Sequence, residues 1–133
     1  MKSLLLAGMI LAQTECLTAA IYHEARGEPF MGQVLVAAVI HNRVLSDQFP
    51  NNYCDVIRQN NQFEFVTLGR WETFDESSRD QAAFIAEQFL ELPSDPIYNN
   101  ILFFHSGPIP NFFQTLNHDV TVGNHLFYRL PDN

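Results

Sequence analysis

The sequence has few basic residues. It contains 7 Lys and Arg against 15 Asp and Glu, which gives a formal net charge of -8. A summed field of this sign repels phosphate backbones and anionic lipid surfaces. We therefore expect no nucleic-acid partner, and we also expect no stable membrane insertion.

Cysteine is equally scarce, with only Cys16 and Cys54 in the chain. Their wide spacing contains no second Cys or His pair of the zinc-finger type. His23-Glu24 could open a His-Glu-x-x-His zinc motif, but the position for the second histidine is Gly27. No metal or other cofactor is expected, and the two cysteines form either one disulfide or two free thiols. An oxidising compartment would favour the disulfide.

The sequence also lacks an apolar run long enough to cross a bilayer. The longest N-terminal run, Leu4 to Ala12, is too short to span one. With its single Lys it has the shape of a very short signal peptide, but a convincing small-x-small cleavage site is missing. We favour an ordinary N-terminal helix that packs on the domain over a signal peptide for residues 1–12.

What is present predicts one mainly α (α+β) domain covering residues 1–133. The chain has 133 residues, of which 47% are hydrophobic and 17% charged, without an internal repeat or linker. Apolar periodicity predicts helices at 14–25 and 32–45 and a third that carries Ala82 to Phe89. The predictions for the rest are a loop with short helical turns at 46–74, a Ser78-x-x-Gln81 capping box before the third helix, and β-prone runs at 101–104 and 126–128. Asn42 should face inwards and make a structural hydrogen bond.

Glu24 is the candidate for chemistry, because it lies on the apolar stripe of the first helix. Burial makes a carboxylate costly to ionise, so the pKa of Glu24 should rise and the group could stay protonated near neutral pH. A general acid in glycosidic cleavage needs that property, since the leaving sugar oxygen must be protonated as its bond breaks. The alternative is a structural ion pair with Arg26 or Arg43. The stripe consists of Leu17, Ala20, Ile21 and Glu24.

Several short blocks follow one another in a specific order. They are Cys16-Leu17, the block from Ala20 to Pro29 with its Glu-Ala-Arg-Gly-Glu core, Gly32-Gln33, Val39 to Val44 with Asn42-Arg43, Phe49-Pro50, Cys54, Val56, Gln62-Phe63, Phe104-His105, Pro110, and Gly123 to Arg129. Over residues 14–129 the chain resembles the SleB-type cell wall hydrolases, a family of spore-cortex-lytic enzymes that also occurs in bacteriophage lysins.

The resemblance implies a lysozyme-like fold, related to soluble lytic transglycosylases, and an enzyme that degrades peptidoglycan. Glu24 takes the position of the catalytic acid, and the bond cut joins N-acetylmuramic acid to N-acetylglucosamine. In transglycosylase chemistry the muramic acid's own C6 hydroxyl attacks, which leaves 1,6-anhydromuramic ends. Two alternatives are a hydrolytic muramidase, with Glu28 as the nearest second carboxylate, and a non-catalytic peptidoglycan-binding domain. We favour Glu28 as a structural residue or as a charge that tunes Glu24.

The resemblance also suggests substrate contacts. Gln62 would hold an acetamido group and Phe63 would offer an apolar face to a sugar, although Phe63 and Tyr128 could equally be packing residues. Trp71 is a candidate for stacking on sugar or for covering the edge of the core. The full set of substrate-binding candidates is Gln62, Phe63, Tyr22, His105, His125 and Tyr128.

The expected partner is the glycan strand of peptidoglycan, and we expect the protein to be a monomer. Action on the cell wall, from the periplasm or the extracellular side, requires access to the wall. An exported bacterial enzyme, or a phage lysin released from the host cytoplasm, would both provide it.

Overall fold

The computed structural model describes residues 2–132, with side chains from residue 7 onwards. The helices are α1 (Lys2–Ala25), α2 (Phe30–Leu45), α3 (Tyr53–Ile57), α4 (Glu64–Thr67) and α5 (Glu76–Leu90), and two short 3-10 turns cover Tyr98–Asn100 and Asn111–Thr115. The strands are β1 (Phe103–His105), β2 (Asn117–Val122) and β3 (His125–Arg129). They form one antiparallel sheet in the order β1-β3-β2. The predicted mainly helical chain with a small C-terminal β segment is thus confirmed.

Helix α2 lies at the centre and is buried on nearly every side, as its apolar sequence predicts. It begins at Phe30 because Pro29, at the N-cap position, has an extended ψ of 151° that is not helical. Helices α1, α3 and α5 pack around it, and β1 contacts it on the side of the sheet. This central helix carries four buried polar residues, Gln33, His41, Asn42 and Arg43.

Helix α1 is continuous from Lys2 to Ala25 rather than beginning near Thr14. Its second half is largely buried, and the helix ends where Gly27 adopts a positive φ of 86°, as the Gly-x-Pro sequence predicts. The expectation that the N-terminal segment packs on the domain is wrong for residues 7–12, which are all exposed. The helix extends there beyond the elements that cover its second half. Side chains 1–6 lie outside the described residues.

The start of α5 corrects the predicted capping box. The N-cap is Asp75, whose carboxylate accepts a hydrogen bond from the Ser78 backbone N–H at 3.4 Å and one from the Ser78 hydroxyl at 2.7 Å. Gln81 instead faces α2, where its side chain accepts a 2.9 Å hydrogen bond from Gln33. An aspartate in extended conformation caps a helix as well as a serine does, so the helix begins three residues before the predicted cap.

A disulfide between Cys16 and Cys54 joins α1 to α3, with their Cα atoms 5.3 Å apart. Of the two states that the sequence leaves open, the bonded one is present. None of the helices that the structure describes combines the length and the apolar character needed to cross a membrane.

Candidate active site

Two grooves meet at the last turn of α1. The groove lined by Arg26 and Arg70, the arginine groove, has a volume of about 560 Å³. The groove lined by Phe103, Phe104, Phe112 and Phe113, the phenylalanine groove, has a volume of about 600 Å³. Both sizes suit small-molecule and sugar binding. Both grooves are lined by His23, Glu24 and Glu64. The arginine groove adds Tyr22, Arg26, Phe65, Leu68, Arg70, Glu72 and Phe74. The phenylalanine groove adds Arg43, Asn61, Gln62, Phe63, Phe103, Phe104, His105, Ser106, Pro110, Phe112, Phe113 and His125.

Glu24 is partly buried at the junction of these grooves. Burial, and after it the negative charge of Glu64, raise the pKa of Glu24 to about 7. Its carboxyl has no hydrogen-bond or ion-pair partner among residues 7–132. The group therefore meets the requirement for a proton donor at neutral pH: a substantial protonated fraction and an open path to a ligand.

The ion pair considered as the alternative for Glu24 is not formed. Arg26 lies over the ring of Tyr22, with its guanidinium carbon 4.7 Å from the ring centre, and donates to the Tyr22 hydroxyl. Arg43 donates from Nε to the Leu102 carbonyl at 2.8 Å and from Nη1 to the Gln62 side chain at 3.1 Å. Both arginines thus donate their hydrogen bonds to groups other than the Glu24 carboxyl.

Glu64 was missed by the sequence interpretation, which looked for a second carboxylate at Glu28. Glu64 is the first residue of α4, between two buried phenylalanines, Phe63 and Phe65, whose ring centres lie 6.2 Å apart. Because both neighbours turn into the core, Glu64 is directed to the grooves, where it is exposed. The alternation Phe-Glu-Phe in an otherwise polar loop was the available signal.

Glu28 lies away from both grooves. Its carboxylate accepts hydrogen bonds from the Asn124 backbone N–H at 2.7 Å and from the Asn124 side-chain amide at 3.2 Å. It also lies 3.4 Å from Nδ1 of His125. Glu28 thus joins the α1–α2 turn to the β2–β3 turn, which is the structural role we favoured; the charge that raises the pKa of Glu24 belongs to Glu64 instead.

His23 is the third residue common to both grooves. Its ring stacks on Phe65 with ring centres 4.7 Å apart and an angle of 14° between the planes, and it meets the Tyr22 ring edge-on. Its Nε2 is buried and has no partner within the part of the chain that the structure describes. The sequence interpretation considered His23 only as a possible zinc ligand.

Gln62 and Phe63 both line the phenylalanine groove but differ in exposure. Gln62 is exposed and its side-chain oxygen is held by Arg43, whereas Phe63 is only 2% exposed and packs on Phe65 and Phe104. Tyr22 lies in the arginine groove and is also largely buried. For both aromatic residues most of the ring area is therefore used in packing.

The histidines and the tyrosine of the sheet occupy different depths. His105 and His125 line the phenylalanine groove, and burial lowers the pKa of His125 against the opposing effect of Glu28. Tyr128 is behind them and does not line either groove; its hydroxyl lies 3.0 Å from Nε2 of His105. Trp71 is also outside both grooves and packs edge-on against Phe65, at the edge of the core.

Comparisons with known proteins identify the fold. The catalytic domain of the germination-specific lytic transglycosylase SleB from Bacillus anthracis superposes with a TM-score of 0.71 at 31% identity, covering 88% of this chain and 93% of that domain. The catalytic domain of the Bacillus cereus SleB protein gives a TM-score of 0.70 at 29% identity, covering 88% and 89%. The predicted lysozyme-like fold is confirmed.

Curated relatives are spore cortex-lytic enzymes. That of Oceanobacillus iheyensis is 33% identical over 110 residues, which cover 81% of this chain and 38% of the relative. That of Bacillus subtilis is 50% identical over 54 residues, or 41% of this chain and 18% of the relative. The chain therefore spans less than two fifths of the length of these relatives. The family model described as Cell Wall Hydrolase matches residues 27–128, and the chain belongs to that family.

Proposed function

We propose that this protein degrades peptidoglycan by cleaving the bond between N-acetylmuramic acid and N-acetylglucosamine as a lytic transglycosylase, with Glu24 as its acid. The observation that carries the proposal is the position of Glu24, whose carboxyl, with a pKa of about 7, lies open at the junction of two grooves. A solved relative with 31% identity is named a germination-specific lytic transglycosylase, and this supports the same chemistry here.

The reaction needs one carboxyl in two protonation states. Glu24 gives its proton to the bridging oxygen as the bond from that oxygen to C1 of N-acetylmuramic acid breaks. The C6 hydroxyl oxygen of the same sugar then bonds to C1, and its proton returns to the Glu24 carboxylate. The products are a 1,6-anhydromuramic end and a free N-acetylglucosamine hydroxyl, and no water is consumed.

The two grooves would hold the sugars on either side of the cleaved bond. In the phenylalanine groove the exposed ring of Phe112 and the half-buried rings of Phe103 and Phe113 offer apolar faces for sugar rings. The Gln62 amide, held in place by Arg43, can pair with an acetamido group. His105 and His125 supply further polar atoms to this groove. Tyr22 forms part of the wall of the arginine groove. Phe63 and Tyr128 support the wall of the phenylalanine groove by packing.

Action at the cell wall, outside the cytoplasmic membrane, agrees with the Cys16–Cys54 disulfide, because such bonds persist in oxidising compartments. We further propose that the protein works as a monomer on the glycan strands. The experiment for the enzymatic part is clearing of purified peptidoglycan by the wild type, by Glu24→Gln and by Glu87→Gln. Glu87 is an exposed carboxylate of α5 outside both grooves and is the matched control.

We expect clearing by the wild type and the control, and at least a hundredfold slower clearing by Glu24→Gln. Equal clearing by all three would remove Glu24 from the mechanism, and binding without clearing would indicate a non-catalytic peptidoglycan-binding domain. Mass spectrometry of the fragments identifies the chemistry: anhydromuramic ends are expected, whereas reducing ends alone would indicate a hydrolytic muramidase.

A further inference from the structure

Glu64 lines both grooves, as Glu24 does, and few other residues of the chain do so. The local sequence makes this position rigid. Phe63, the N-cap residue of α4, and Phe65 in its first turn are 2% and 5% exposed, and they anchor the backbone on both sides of Glu64. The Phe65 ring also carries the stacked ring of His23, the residue next to Glu24 in α1. Contact between these rings thus couples the position of Glu64 to that of Glu24.

The Glu64 carboxylate is not held by a partner in the part of the chain whose side chains the structure describes. Across residues 7–132 it makes no hydrogen bond and no ion pair, although the exposed Arg70 lines the same arginine groove. By contrast, both carboxylate oxygens of Glu28 accept hydrogen bonds from Asn124, and the Asp75 carboxylate accepts one from Ser78 at the start of α5. A carboxylate that is oriented by its neighbours and yet unpaired in a groove is available to a ligand.

Cleavage of a glycosidic bond develops positive charge on the sugar ring whose C1 loses its oxygen. A fixed negative charge near that ring lowers the free energy of the transition state. We propose, on the basis of the function proposed above, that Glu64 is the second functional carboxyl group of this active site and stabilises the positive charge on the muramic acid ring while Glu24 donates its proton. Glu64 forms no bond itself, since the C6 hydroxyl supplies the new bond to C1.

The same charge has a second effect, on the acid. The negative charge of Glu64 contributes, after burial, to the raised pKa of Glu24. Glu64 thereby favours the protonated form of Glu24 that the first step requires. Removing the charge should weaken both effects at once, and the two can be measured separately.

The test compares the full chain with Glu64→Gln, Glu64→Asp and the remote control Glu87→Gln on purified peptidoglycan from pH 4 to pH 9. We expect Glu64→Gln to lower kcat roughly 10- to 100-fold with little change in KM. Its activity should also fall at a lower pH than that of the wild type, because Glu24 loses its proton earlier. Glu64→Asp should restore part of kcat and of the pH profile, and Glu87→Gln should match the wild type.

A Glu64→Gln variant with the kcat and pH profile of the wild type would overturn this inference. So would a loss of kcat that Glu64→Asp does not restore at all, with no shift of the pH profile. A wild type that clears no peptidoglycan would refute the proposed function, and the role of Glu64 with it. An active wild type with an inactive Glu24→Gln and an unaffected Glu64→Gln refutes only the role of Glu64.

Discussion

Asn42 and Ile97 exchange two hydrogen bonds, both 2.9 Å long: the Asn42 amide donates to the Ile97 carbonyl, and the Ile97 N–H donates to the Asn42 side-chain oxygen. The same amide donates a third, also 2.9 Å, to the carbonyl of Ile101. Between these points residues 98–100 all have positive φ, from 51° to 56°. Such backbone is strained for residues other than glycine and persists only where the surroundings hold it. One buried amide of α2 thus secures both ends of a strained turn that leads into β1.

Asn42→Ala should therefore destabilise the fold strongly. The change leaves two carbonyls and one N–H without their partner and frees the strained turn, at a cost of about 3 kcal/mol or more in the free energy of unfolding. Asn51→Ala, at an exposed position whose side chain makes no hydrogen bond within residues 7–132, should stay within about 0.5 kcal/mol of the wild type. Urea unfolding measures both. A difference below 1 kcal/mol between the variants would show that the turn does not depend on Asn42.

The sequence predicts the orientation of a side chain where the signal is the periodicity of a single helix. The inward orientation of Asn42 follows from its place seven residues after Leu35 on one helix, and the placement of Glu24 follows from the same periodicity in α1. Both residues are where the periodicity predicts them. The strain at residues 98–100 has no such signal, because it depends on a hydrogen bond between residues 55 positions apart.

The errors and the open alternatives have a common physical origin in tertiary structure. For Tyr128 the sequence left substrate contact and packing both open, and only the tertiary structure shows that the order β1-β3-β2 puts it on the central strand, covered by His105. Glu64 was missed because its closeness to Glu24 depends on how the 46–74 loop folds back on α1. Residues 7–12 are apolar without being buried, and composition alone does not reveal which apolar segments lack a packing partner.

The raised pKa of Glu24 predicts a pH-dependent loss of stability. The folded state keeps the proton up to a pH of about 7, whereas the unfolded chain releases it near the usual value of 4.5. Stability is therefore highest below this window and falls as the pH rises through it, by about 3 kcal/mol in total. Glu24→Gln lacks this titration. The unfolding free energy of the wild type minus that of Glu24→Gln should decrease between pH 4.5 and pH 8, as measured by urea unfolding.

The other titrating groups cancel in this difference, because the wild type and Glu24→Gln share them. A flat profile would mean that Glu24 ionises in the folded state as it does in water. That result would directly contradict the raised pKa of Glu24, and it requires no assay of activity.

Gly123 is needed for the contact between Glu28 and the β2–β3 turn. It has a φ of 58°, and a Cβ at this position would lie 2.7 Å from Oε1 of Glu28 and 2.9 Å from Cδ of Pro29. Gly69 has a similar φ of 67° but nothing within 4 Å of the same position. Gly69→Ala should therefore show the cost of the backbone conformation alone, about 1 kcal/mol. Gly123→Ala should cost about 1–3 kcal/mol more, because Glu28 must move. Equal losses in thermal or urea unfolding would show that the turn adapts freely.

The hydrogen bond between His105 and Tyr128 predicts that these residues act as one unit. Phe103 pairs with Tyr128 across the sheet, so His105, two residues along β1, lies diagonal to Tyr128 and can reach its hydroxyl. If Tyr128 acts only by orienting His105, Tyr128→Phe should lower kcat/KM about 2- to 10-fold. His105→Ala should lower it at least as much, and the double variant should be no worse than His105→Ala alone. Tyr98→Phe, whose exposed hydroxyl has no partner among residues 7–132, is the control. Additive losses in the double variant would instead mean that Tyr128 contacts the glycan independently, and that the groove opens deeper towards the central strand when substrate binds.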